Sequence, residues 1–200
     1  MAHRTARYGL ILLFVGMAGV RVSAADCGYA EAIRSHWTRT RDQILTIAAA
    51  VPEDKYDFRP VKEVRSFREM LMHMVTDTYT HIGYAGGVSR EESERLTEKY
   101  KTLKTREEFL KALRESYDYG DKILAELNDQ NATEMVSAMR GERMTRVAAA
   151  LDAFSDIVDH YGNLVVYLRL NGIVPPTTAT RDQQRQQQRP QQPQTEEHRH

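Results

Sequence analysis

The chain has 200 residues, of which 28 are basic, 28 are acidic and 41% are hydrophobic. This charge balance gives no electrostatic basis for binding nucleic acid or an anionic membrane surface, so no nucleic-acid partner is expected. The single cysteine, Cys27, excludes an intrachain disulfide. The fold must therefore be stabilised by an apolar core.

Residues 1–24 have the pattern of a secretory signal peptide. Arg4 and Arg7 precede an apolar run, Tyr8 to Val20, and the small-residue sequence at 22–24 suits cleavage. The run is shorter than the roughly 20 residues that span a bilayer, so a retained anchor is disfavoured. We predict an exported protein, periplasmic or secreted, with no stable membrane anchor after cleavage.

Apolar residues recur at helical spacing in four segments, each bounded by a capping residue or a proline. The predicted helices are 26–50, 66–84, 105–128 and 145–171. Ser66 with Glu69, and Thr105 with Glu108, match the capping box that begins a helix. Because no run of alternating strand pattern is present, we predict an all-α fold, a single four-helix bundle over residues 26–176.

The segments outside these helices differ in character. Residues 88–104 are charged and weakly periodic, and they are long enough for a connection that crosses the bundle between helices 2 and 3. Residues 129–144 are predicted to form a loop. Residues 177–200 are rich in glutamine and contain no aliphatic residue after Ala179. This C-terminal tail is predicted to be disordered, because it cannot bury enough apolar surface to offset ordering.

The last helix carries the longest apolar pattern. Its main stripe alternates steps of four and three: Val147, Leu151, Phe154, Val158, Tyr161, Val165 and Leu168. A second set widens the apolar arc on one side: Ala150, Ala153, Ile157 and Leu164. The main stripe is predicted to pack on neighbouring helices. His160 lies near the edge of the widened arc and should face another helix, and Asp156 precedes it by one turn.

Three side chains are the candidate metal ligands: His73 on the second helix, and Asp156 and His160 on the last. Two imidazoles and one carboxylate leave coordination positions open, which is typical of a catalytic rather than a structural metal site. The helical rise allows His73 and His160 to lie at the same level of the bundle. A histidine on an apolar flank is more often a hydrogen-bonded core residue, and this interpretation stays open.

Other arrangements are less favoured. His73, Asp77 and His81 share one helix, but helical drift carries His81 about 80° away from His73, so one cation should not take both. No nucleophile motif, phosphate-binding loop or paired zinc cysteines are present. We therefore assign no catalytic residue and no organic cofactor.

Three motifs resemble the DinB-like superfamily, whose members are four-helix-bundle metalloenzymes. They are DHYGNLVVYLRLNGIVPP (159–176), RSFREMLMHMV (65–75) and DQILTIAAAVPEDKYDFRP (42–60). The resemblance covers about residues 30–176. It implies a bundle with a long connection between helices 2 and 3, and a divalent metal, commonly nickel or zinc, held by three histidines.

In this resemblance His73 matches the first ligand and His160 matches the last. Asp156 stands where the middle ligand is typically histidine. A carboxylate hardens the site, which favours Mn, Fe or Mg over Zn. The expected cofactor is thus a divalent cation, with Zn, Ni, Mn and Fe as the candidates.

The leading hypothesis is an exported DinB-like metal-dependent hydrolase or transferase that acts on a small molecule. Members of the superfamily include transferases and isomerases that depend on low-molecular-weight thiols, but an exported protein would meet little reduced thiol. The alternative is a non-enzymatic interaction or dimerisation module without bound metal. Formation of a homodimer is left open by the residues.

Overall fold

The computed structural model describes residues 28–188, and six α-helices and one β-hairpin lie within this range. The elements are α1 (Tyr29–Ala50), α2 (Phe67–Asp77), α3 (Arg90–Thr97), α4 (Arg106–Glu126), β1 (Met135–Ser137), β2 (Arg143–Thr145), α5 (Arg146–Leu170) and α6 (Pro176–Gln187). A π-helical segment, Thr78–Ile82, and a last turn, Gly83–Ala85, continue α2. None of the helices described is long and apolar enough to cross a membrane.

Helices α1, α2, α4 and α5 form the bundle, in which α1 packs on α4 and α5, and α2 packs on the same two helices. The predicted all-α four-helix bundle is therefore confirmed, together with the long connection between its second and third helices. That connection is not irregular. It contains α3, whose buried Ser93 donates a hydrogen bond of 3.1 Å from its hydroxyl to the carbonyl of Tyr79.

Both predicted capping boxes are present. The backbone N–H of Glu69 donates to Ser66 Oγ (3.3 Å), and the N–H of Ser66 donates to Glu69 Oε2 (2.7 Å). Thr105 and Glu108 exchange the equivalent bonds at the start of α4. Each pair satisfies two backbone donors that would otherwise lack a partner, which is why the starts of these helices could be predicted to the residue.

The prediction that the main stripe of α5 forms its packing face is wrong for part of that stripe. Leu151 and Val158, two of its members, are 50% and 42% exposed, whereas Ala150, Ala153 and Leu164 are fully buried. The second set, predicted only to widen the apolar arc, is therefore the most deeply buried stripe of α5. Leu168 of the main stripe is also buried, and Val147, Tyr161 and Val165 are partly buried against the core, so the buried face is rotated from the predicted one and overlaps it.

Residues 129–144 were predicted to form a loop, but they contain an antiparallel hairpin in which Val136 pairs with Met144. The turn has Arg140 at φ 60° and Gly141 at φ 78°. Two successive residues at positive φ match the twist of a hairpin, and glycine adopts this conformation without strain. Strands of three residues are too short to give a detectable alternating pattern.

The chain does not leave the fold at Pro176. Pro176 begins α6, a position where its missing N–H costs no hydrogen bond. The hydroxyls of Tyr161 and Thr177 lie 3.0 Å apart, and α6 packs on α1. The segment predicted to be a disordered tail thus begins with a helix. Contacts with α5 and α1 stabilise this helix, although its own composition offers little apolar surface. The signal peptide (1–24) and the end of the tail (189–200) lie outside the described residues and stay predictions.

Candidate metal centre

His73 and His160 come together between α2 and α5, with their ring centroids 4.8 Å apart. His160 belongs to the buried stripe of α5, and its side chain is 8% exposed. His73 lies on the edge of α2 that faces α5, and it is half-buried. The predicted approach of the two imidazoles is therefore present in the structure.

Two carboxylates complete the cluster. Asp77 Oδ2 lies 3.0 Å from His73 Nε2 and 3.4 Å from His160 Nε2. Asp156 Oδ2 lies 3.3 Å from the same nitrogen of His160. Asp156 is therefore next to His160, as the spacing of four predicts, but Asp77 is the residue that lies against both rings.

The cluster holds more acceptors than donors. His160 Nε2 lies within hydrogen-bond distance of Asp77 Oδ2, and the buried Asp156 Oδ2 has no hydrogen-bond partner. His160 Nδ1 is also buried without a hydrogen bond, and the nearest carboxylate oxygen, Asp159 Oδ2, is 3.8 Å away. An unpaired buried acceptor is costly, so this arrangement favours the binding of a cation between the side chains.

The pKa values follow from these contacts. The carboxylates of Asp156 and then Asp77 raise the pKa of His160 to about 9. His160 in turn lowers the pKa of Asp156. Burial lowers the pKa of His73, and the charge of Asp77 only partly offsets that effect. His73 therefore favours the neutral form that binds metals, whereas His160 must give up a proton to do so.

The distances fit the donor set of a divalent cation. Ligands placed about 2.1 Å from a tetrahedral metal are separated from one another by roughly 3.4 Å. The three nitrogen-to-oxygen distances in the cluster lie between 3.0 and 3.4 Å. Imidazole nitrogens with carboxylate oxygens suit zinc, manganese, iron and nickel.

Two overlapping groups of three residues place ligand atoms within 4.8 Å of one another. The first is His73, Asp77 and His160, and the second is Asp77, His81 and Asp156. The sequence analysis weighed Asp77 with His73 and His81 but did not place it beside His160. His81 is not grouped with His73, but it reaches the cluster through Asp77.

A cavity of about 480 Å³ opens beside the cluster. His81 and Asp156 form the wall nearest the cluster, Asp152 and Asp159 line the α5 side, and Arg140 contributes from the hairpin. A second cavity of about 850 Å³ reaches Asp77 and His81 from the α3 side. The cluster is thus accessible to solutes on the side away from the core.

The fold and the cluster together define a helix bundle with a group of histidines and carboxylates that could hold a metal ion. The model of the DinB family matches residues 27–197, and the chain belongs to this family. The resemblance seen in its motifs is therefore confirmed. Among curated proteins, no significant match was found.

Solved structures support the same fold. A DinB-like protein from Bacillus cereus ATCC 10987 has a TM-score of 0.62 at 16% identity, over 73% of this chain and 95% of that one. A DinB-like protein from Bacillus subtilis has a TM-score of 0.58 at 20% identity, over 70% and 92%. A mycothiol-dependent maleylpyruvate isomerase has a TM-score of 0.54 at 12% identity, over 68% and 60%. At these identities the likeness concerns the fold alone.

Proposed function

We propose that this protein is an exported metal-dependent hydrolase or transferase whose cation is held by His73 and His160, together with a carboxylate from Asp77 or from the predicted ligand Asp156. The observation that carries the proposal is the surplus of carboxylate at the cluster, where two acids face one imidazole nitrogen. A structural ion pair does not need this surplus, whereas a divalent cation can use both carboxylates as ligands.

When bound, a divalent cation would supply Lewis acidity, which polarises a carbonyl and makes water nucleophilic near neutral pH. The residues of the chain hold and orient it. Burial keeps His73 neutral and ready to coordinate, and Asp77 fixes both imidazoles through its Oδ2. The apolar neighbours of His160 on α5, Ile157 and Leu164, exclude water from the inner side of the centre.

The substrate would enter through the cavity of about 480 Å³, which can hold a small molecule. Its wall contains several carboxylates, and Arg140 is the cation among its lining residues. A substrate with a polar carbonyl or ester group is consistent with this lining.

Metal analysis of the full chain without an affinity tag tests the proposal. His198 and His200 should be replaced by alanine in all samples, because imidazoles near the C-terminus bind metals unspecifically. We expect at least one equivalent of Zn, Mn, Fe or Ni, and its loss in His160→Ala. His36→Ala is the matched control, since His36 is an exposed histidine on α1 that packs on Phe154.

Added metal should also raise the midpoint of thermal unfolding, because a ligand that binds only the native state stabilises it. A protein that carries no metal, and that gains no thermal stability from added Zn, Mn or Ni, would contradict the proposal. That result would support the interaction or dimerisation module. Exposed apolar residues on α5, such as Leu151, Val158 and Val166, are the surface that such a module would use.

A further inference from the structure

Asp77, His81 and Asp156 form a second group of ligand atoms beside the first. One atom from each of these residues lies within 4.8 Å of the others. Asp77 belongs to both groups, and its Oδ2 faces His73 and His160. A carboxylate has two oxygens, so Asp77 can serve a cation on each side.

The π-helical segment explains how His81 reaches this position. In a regular α-helix, two steps of four residues rotate His81 about 80° away from His73. Hydrogen bonding from i to i+5 widens the turn, so each residue within Thr78–Ile82 rotates less and the drift is reduced. The segment thus brings His81 towards the side of α2 that carries Asp77.

The wide turn is held in place by its neighbours. The hydroxyl of Ser93, on α3, donates to the carbonyl of Tyr79 (3.1 Å), and the hydroxyl of Thr80 donates to the carbonyl of Thr76 (3.0 Å). Thr78 and Ile82 are fully buried, which fixes the two ends of the segment. A π-helical turn is rare and frequently marks a functional site, so its location beside the cluster supports a role for His81.

The carboxylates of the second group are not paired directly with basic side chains, although Arg140 lines the same cavity and Arg90, Arg95 and Lys101 line the cavity on the α3 side. Within residues 28–188, Asp77 and Asp156 form ion pairs with histidines alone, without a lysine or an arginine. Asp152 and Asp159 line the same cavity and add two further carboxylates. Four carboxylates supply the charge that two divalent cations would neutralise.

We propose that the centre binds two divalent cations, the first at His73, Asp77 and His160 and the second at Asp77, His81 and Asp156. Ligand groups that share one carboxylate place their ions close together, as in hydrolytic centres that use two metals about 4 Å apart. The inference rests on the proposed function, because the second ion would lie between the first ion and the cavity. It assigns His81 and Asp77 a binding role that the three-ligand pattern of the family does not include.

Titration with Mn²⁺ tests this assignment on the full chain that carries His198→Ala and His200→Ala. We expect two Mn²⁺ per chain, and an electron paramagnetic resonance spectrum with the exchange coupling of two neighbouring ions. His81→Ala should bind one Mn²⁺ and give an uncoupled spectrum. Its affinity for that ion should lie within about threefold of the affinity of the first site in the parent protein. His36→Ala should retain two ions and the coupling.

The other possible results distinguish a failure of the second metal site from a failure of the proposed function. One uncoupled ion in both the parent and His81→Ala would overturn the second site and leave the proposed function standing. No bound ion in the parent would overturn the proposed function itself. Two ions in His81→Ala, or none in a folded His81→Ala, would show that His81 does not define a separate site. If the alanine variant does not fold, His81→Leu replaces it, and the spectrum of the parent alone decides whether two ions are adjacent.

Discussion

Two carboxylate networks lie on different faces of the bundle and differ in how they are satisfied. Between α1 and α4, Asp121 accepts from Trp37 Nε1 through Oδ1 (2.6 Å) and from Arg41 through Oδ2, so each oxygen has its own donor. Between α2 and α5, Asp77 and Asp156 both face the single Nε2 of His160. A saturated network stabilises a fold, whereas one with surplus acceptors is suited to bind a cation.

The largest expected effect comes from removing one carboxylate-facing histidine. His160→Ala should lower metal affinity by more than about 100-fold, since even residues that only orient ligands contribute 10- to 100-fold. Isothermal titration with Zn²⁺ and Mn²⁺ measures this. Asp121→Ala is the matched comparison. It should destabilise the protein by about 1–3 kcal/mol, because Trp37 and Arg41 lose their acceptor, while metal affinity stays within about threefold.

Equal loss of metal binding in His160→Ala and Asp121→Ala would contradict the difference between the two networks. Because an unfolded variant would also lose its metal, circular dichroism should first show that both variants are folded. A folded Asp121→Ala that no longer binds metal would mean that the two faces of the bundle are coupled, and that the surplus of acceptors does not by itself identify the binding centre.

The next largest effect is expected from a change in the packing against Trp37. Gly120, on α4, lies so close to the indole that a Cβ added there would stand 2.2 Å from Cζ2 of Trp37. Gly120→Ala should therefore lower the free energy of unfolding by about 2–3 kcal/mol, as expected for overpacking, without changing metal stoichiometry. Urea denaturation measures the first quantity and elemental analysis the second. A neutral or stabilising Gly120→Ala would contradict the close packing.

The pH dependence of the stability of the metal-free protein should also differ between the two networks, because only one of them contains histidine. Because the folded protein raises the pKa of His160 to about 9, its protonated form contributes stability below the unfolded value of about 6.5. This contribution is lost as the pH rises from about 6.5 through 9. Urea midpoints measured across this range in chelator should fall. The fall should be smaller in Asp156→Asn, which removes the largest cause of the shift.

Asp121→Asn serves as the control for that experiment, since it removes a carboxylate that faces no histidine. Its pH profile should be displaced to lower stability throughout, with the same slope as the wild type between pH 6.5 and 9. A wild-type profile that is flat over this interval would mean that His160 is not held in its charged form by Asp77 and Asp156.

How much could be predicted from the sequence differs between these regions. The starts of α2 and α4 follow from hydrogen bonds within four residues, and the pairing of His73 with His160 follows from the family motifs. The buried side of α5 was misjudged because its two apolar stripes are adjacent, and the stripe that contains the small alanines is the more buried one. Local sequence does not report which side a neighbouring helix covers.

Asp77 and His81 were disfavoured as ligands for a related reason. The place of His81 in the cluster depends on the π-helical segment Thr78–Ile82, which accepts a hydrogen bond from Ser93 of α3, a residue outside the predicted helix. A regular helix was the correct assumption from residues 66–84 alone. The deviation comes from tertiary contacts, and it occurs at the one part of α2 where additional ligands would be useful.

The smallest expected effect concerns the hairpin that borders the cavity. Arg140 adopts φ 60°, a left-handed conformation that costs a non-glycine residue about 1 kcal/mol. Arg140→Gly should therefore raise the free energy of unfolding by up to about 1 kcal/mol and leave metal stoichiometry unchanged, because Arg140 lines the cavity but is not a ligand. Gly141→Ala, at φ 78°, is the converse variant and should be destabilised by a similar amount. If Arg140→Gly is less stable than the wild type, the arginine side chain must make stabilising contacts that outweigh the strain, and the cavity wall would then be a structural rather than a substrate-facing surface.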